Sequence, residues 1–168
     1  MKAFTLTAGV LLAAAPLAAQ QAPERTPEQK DVAAATDAFF QAIGSTRKTD
    51  LAEVMLPEGV IFIHDRMTPG APKLHVVPVA QHLERWAKNP NRNFENMRYE
   101  TILISGDMAQ VWGPYVFVVN SVPSHCGVNS LSLVRRDGVW KVANTSFTME
   151  PVSQCAEIGA PGFEENVQ

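Results

Sequence analysis

The sequence carries little charge. Asp, Glu, Lys and Arg make up 18% of its 168 residues, and the formal net charge is -3. A protein that tracks phosphates presents a basic stripe, and here the only adjacent basic pairs are Arg47-Lys48 and Arg135-Arg136. Nucleic acid is therefore not an expected partner. A glycine-rich phosphate loop and the G-x-S-x-G elbow of serine hydrolases are absent. The four histidines, His64, His75, His82 and His125, never fall at the i, i+4 spacing of a zinc helix. Neither a metal nor a cofactor is expected. Cysteine is scarce as well, with Cys126 and Cys155 alone. Beyond Gln20 no apolar run approaches the roughly 20 residues that a membrane span needs.

What is present begins with MKAFTLTAGVLLAAAPLAAQ. A positive Lys2, an apolar run from Val10 to Ala15 and small residues up to Ala19 make the pattern of a secretory signal peptide over residues 1–19. Cleavage is expected after Ala19 or Gln20. The alternative, a retained membrane anchor, is weakened by Thr5, Thr7 and Pro16. The mature chain is then periplasmic or secreted, with no membrane attachment. In an oxidising compartment a small, even cysteine count favours a disulfide.

Residues 20–26 read as a flexible lead. Thr26-Pro27-Glu28-Gln29 is a helix start, with Thr26 as cap, Pro27 in the first turn and Gln29 closing a capping box. Val32, Ala35, Phe39 and Ile43 continue one apolar face, and Gly44 stops it. Leu51, Val54 and Met55 mark a second, short helix. Gly59 to Asp65 is β-branched and reads as a strand. After a loop at MTPGAPK, residues 79–88 form a third helix carrying Trp86. Strands follow at Phe94 to Ser105, Met108 to Val119, Cys126 to Arg135 and Val139 to Met149, with turns at Gly106-Asp107 and Asp137-Gly138. Helices first and hairpin-linked strands afterwards indicate an α+β fold.

This order, with Ser105-Gly106-Asp107-Met108-Ala109, VWGPYVF (Val111 to Phe117), SHCG (Ser124 to Gly127) and LVRRDGVWKV (Leu133 to Val142), resembles the nuclear transport factor 2-like, or SnoaL-like, superfamily over residues 27–149. The resemblance is strongest to exported bacterial members of unassigned function. It implies a cone-shaped, strongly curved antiparallel sheet packed on about three N-terminal helices, with a ligand pocket in the cone. Relatives include enzymes and non-enzymes, so the fold does not decide the activity.

His125 and Cys126 are adjacent, and consecutive strand residues point to opposite faces. They are therefore not expected to act as base and nucleophile. Counting across the Asp137-Gly138 turn sets Arg136 opposite Val139, Cys126 opposite Met149 and His125 opposite Glu150. Cys155 then lies close enough to return to Cys126, and a Cys126–Cys155 disulfide would pin the tail, residues 150–168, to the strand. Across Gly106-Asp107, Arg98 falls opposite Tyr115 and Glu100 opposite Gly113. Arg98, Glu100 and Tyr115 then converge in the pocket with Trp86 in its wall. The alternative is a structural Arg98–Glu100 ion pair. A register slip of one residue across Gly106-Asp107 would reverse the face.

Three functions follow. The first is a domain that binds an apolar or aromatic small molecule in the cone, with or without catalysis, through Arg98, Glu100 and Trp86. The second is a lyase, isomerase or cyclase working by proton transfer, with His64, Asp65, Tyr115 and His125 as candidate catalytic residues. That version requires His64 and Tyr115 to share one cleft. The third is a homodimer through the outer sheet face, which would carry Leu103, Gln110, Trp112 and Pro114.

Overall fold

A computed structural model describes residues 24–163. The expected signal peptide and the start of the lead lie outside the described residues. The first helix, α1 (Pro27–Gly44), begins as its sequence dictates. Thr26 Oγ1 accepts from the Gln29 amide at 3.2 Å, and Gln29 Oε1 accepts from the Thr26 amide at 3.0 Å. A 3-10 turn at Lys48–Asp50 leads into α2 (Leu51–Val54), and a third helix, α3 (Val79–Trp86), follows the first hairpin.

Seven strands, β1 (Val60–Asp65), β2 (Lys73–Pro78), β3 (Asn93–Met97), β4 (Thr101–Ser105), β5 (Met108–Val119), β6 (Val122–Arg136) and β7 (Val139–Met149), form one strongly bent, unclosed sheet. The order is β2-β1-β7-β6-β5-β3, with β4 also paired to β5. All neighbours are antiparallel except β1 and β7, which run parallel. The fold is α+β, with α1, α2 and α3 on the concave side. A fourth helix, α4 (Cys155–Ile158), lies in the tail.

Two irregularities correct the expected register. The hairpin pairs as counted from Arg136↔Val139 to Leu133↔Val142, and then Ser132 pairs with Asn144. Ala143 is the extra residue of a bulge, so Cys126 bridges to Glu150 rather than Met149. The strand expected from Phe94 to Ser105 is broken between β3 and β4. Met97 pairs with Tyr115, while Thr101 pairs with Trp112. The intervening backbone crosses tightly over β5: a Cβ on Gly113 would stand 1.8 Å from the Arg98 carbonyl oxygen. Only glycine admits that crossing. β2 was not expected at all, because its Leu74 and Val76 lie on an exposed edge strand.

His125 and Cys126 do face opposite ways. Cys126 points outward and bonds Cys155 across a separation of 29 residues. Val116, Cys126, Cys155 and Ala160 form a small second core on the outer face of the sheet. The main core lies on the other face, between the sheet and α1.

Candidate functional site

The concave face of the sheet is not filled by its own side chains. A cavity of about 160 Å³ remains, and its walls are mainly apolar. Phe39 and Ile43 of α1 and Leu51 of α2 close one side. Ile61 and Ile63 of β1, with Leu131 and Phe147 of β6 and β7, close the other. Strand alternation explains the lining: Tyr115 and Phe117 on β5, His125, Asn129 and Leu131 on β6, and Thr145, Phe147 and Met149 on β7 are each two apart or multiples of two. The β3 break puts Glu95 on this face as well.

The polar groups are few. Asn129 Nδ2 donates to Glu95 Oε1 at 2.6 Å. Burial pushes the Glu95 carboxyl up to about 7, against the opposing effect of that hydrogen bond. The Tyr115 phenol donates to the Thr148 carbonyl at 2.8 Å, and a Cβ on Gly127 would stand 2.1 Å from that same oxygen. Burial, then the charges of Glu95 and Glu150, hold Tyr115 well above the ordinary phenol range. It is neutral, and its proton is already engaged.

His125 sits beside the bulge between β5 and β6, where Phe117 pairs with His125 and Val118 with Pro123. Its Nδ1 lies 3.2 Å from Ser124 Oγ, and its ring stacks on Phe117 at 5.0 Å. Burial pushes it down to about 4, although the Asp65 charge acts in the other direction. His82 stacks on Trp86 at 5.5 Å and is lowered by burial and then by Arg85. Trp86 lines the cavity, and its Nε1 is buried with no partner among the described residues.

Of the residues singled out from sequence, Tyr115, His125 and Trp86 line the cavity together. His64 does not. Ile61 and Ile63 line it, so His64 faces the other side of β1, where Nε2 lies 3.2 Å from Ser146 Oγ. The requirement that His64 and Tyr115 share a cleft is not met. Asp65 is on the concave side of β1, but outside the lining. It accepts from the Met67 amide at 3.0 Å and stands 3.6 Å from His75 Nε2.

The expectation that Arg98 and Glu100 converge with Tyr115 is corrected by the β3 break. They form the alternative, the structural ion pair, half-exposed, at 2.8 Å. The Arg98 guanidinium lies against Gly159 of the tail, away from the cavity. Glu95 and Asn129 were missed. The one signal for Glu95 was a charged residue two positions from Met97 in NFENM, which becomes legible only once Met97 is known to face the core. Among the described residues no group of three His, Cys, Asp or Glu converges as a metal site.

Compared by sequence, the chain matches no known family and no curated protein. Compared by structure, it is similar to a Xanthomonas campestris protein named as a proposed calcium/calmodulin-dependent protein kinase II association domain. The identity is 21%, the match covers 80% of this chain and 94% of that one, and the TM-score is 0.57. A nuclear transport factor 2-like protein of unknown function from Shewanella oneidensis is 13% identical over 72% of this chain and 98% of its own, at a TM-score of 0.56. A proposed dehydratase of the same fold group from Streptomyces avermitilis is 16% identical over 73% and 95%, at 0.54. The fold is nuclear transport factor 2-like.

Proposed function

We propose that the protein is an exported domain, periplasmic or secreted, that binds a small and mainly apolar molecule inside the cone. The observation that carries this reading is the unfilled cavity of about 160 Å³ with apolar walls. A void of about 150 Å³ with such walls admits one benzene ring, so the ligand is of single-ring size. Export is supported by the leader-like start of the sequence and by the Cys126–Cys155 disulfide. No helix among the described residues is long and apolar enough to cross a membrane. A thermal-shift screen of one-ring compounds tests the binding. Ligands should raise the melting temperature of the native protein and not of Leu131→Phe, which fills the void. Equal shifts in both proteins would sink the reading.

Proton-transfer catalysis in the same cavity, by a lyase, isomerase or cyclase, is a second reading. One observation favours it: a carboxyl near neutrality in an apolar wall suits general acid–base work. A homodimer is favoured by Leu103 and Trp112, 62% and 47% exposed on the outer face, with Met108 beside them. Pro114, also expected on that surface, is buried.

A further inference from the structure

Apolar binding leaves one group in the cavity without a role. Glu95 enters from the middle of β3, and one of its carboxyl oxygens is held by Asn129. No group among the described residues donates to the other oxygen. Neither lysine nor arginine lines the cavity. Lys48 reaches the Trp86 ring at 5.4 Å, but it is not part of the lining. Burial pushes both histidines that line the cavity, His82 and His125, toward the neutral form, and Arg85 adds to it at His82. Tyr115 and Tyr99, the other titratable groups that feel Glu95, are neutral phenols, and Tyr99 donates to Asp37. The carboxylate therefore has no counter-cation.

Glu95 is partly buried, and a charge drawn partly out of water without a partner is unfavourable or shifts its titration. Around it stand aromatic rings: Tyr115 edge-on to Phe147 at 6.1 Å, Phe117 stacked on His125, and Trp86. Ring faces carry negative potential and attract organic cations. An anion entering the same space would meet Glu95 and no positive partner.

We propose that the ligand of this cavity is a small organic cation, a primary or secondary amine carried on a single ring or a short alkyl chain. Its ammonium donates to the free oxygen of Glu95, and its apolar part lies against the rings. This rests on the apolar-binding reading above and adds the charge and the group that recognises it.

Three probes of one shape and different charge test it: benzylamine, benzyl alcohol and benzoate, titrated calorimetrically into the full mature chain near pH 7. Benzylamine should bind at least about tenfold more tightly than benzyl alcohol, the scale of a hydrogen bond to a charged group, and benzoate should bind weakest. Amine binding should release about half a proton, because a carboxyl near 7 must ionise to receive it. In Glu95→Gln the amine should lose its lead and the proton release should vanish. If that variant fails to fold, the pH dependence of the native protein decides: amine affinity should rise from about pH 5.5 to about pH 7.5, while alcohol affinity stays flat. Equal affinity for amine and alcohol, with no proton release, would overturn the cation proposal and leave apolar binding standing. No binding by any of the three would overturn both.

Discussion

Replacing Glu95 by glutamine should change how stability depends on pH. The Glu95 carboxyl titrates near 7 in the folded chain, against an ordinary value of 4.5. Between those values the folded chain holds a proton that the unfolded chain has lost. Its contribution is therefore fully present below about 4.5 and is lost as pH rises through about 7. At 1.36 kcal/mol per pH unit, the window amounts to about 3 kcal/mol. His125 acts with the opposite sign. It titrates near 4 instead of 6.5, so its contribution is present above about 6.5 and is lost as pH falls through about 4. The two effects oppose each other across most of the acid range, which hides each of them in the native protein. His82 shifts in the same direction as His125. In Glu95→Gln the histidine effects remain without the opposing carboxyl. Urea unfolding followed by tryptophan fluorescence, at steps from about pH 4.5 to about pH 7.5, would expose the difference. The variant should gain up to about 3 kcal/mol on the native protein across that range, because glutamine removes the ionisation of a partly buried carboxyl. Parallel stability curves, constant in separation to within about 1 kcal/mol, would refute the placement of the Glu95 carboxyl against the apolar cavity wall.

Other perturbations have equally direct readouts. Cys126→Ser with Cys155→Ser opens the 29-residue link and should lower unfolding stability by about 3–4 kcal/mol in the chain-entropy model, measured in urea. Gly113→Val drives a side chain into the Arg98 carbonyl and should destabilise by about 3 kcal/mol; an unchanged melting temperature would contradict the crossing of β5. Analytical ultracentrifugation at micromolar concentration should give a dimer for the native chain and a monomer for Trp112→Asp, with the melting temperature of the protomer retained.

The parts legible in the sequence are those fixed by local chemistry. The capping box at Thr26 and Gln29 sets the start of α1 without help from the rest of the chain. The strands at Met108–Val119 and Val139–Met149 are bounded by their own turns. The opposite facing of His125 and Cys126 needed only the parity of neighbouring residues, so it survived the bulge that shifted their partners. Everything that depended on counting across several residue pairs was vulnerable. One extra residue, Ala143, moved Cys126 from Met149 to Glu150. One break after Met97 sent Arg98 and Glu100 outward and brought Glu95 in. Its cause is the missing side chain at Gly113, which is a contact between strands and not a pattern within one. β2 escaped notice because exposed Leu74 and Val76 on an edge strand resemble a loop with stray apolar residues.

Chemical-shift mapping by NMR on addition of benzylamine to the mature chain would locate the ligand residue by residue. Binding in the cone should gather shifts on Glu95, Tyr115, Leu131 and Phe147, which face one cavity from four strands. Shifts gathered instead on Leu103, Met108 and Trp112 of the outer face, or none at saturating amine, would contradict it.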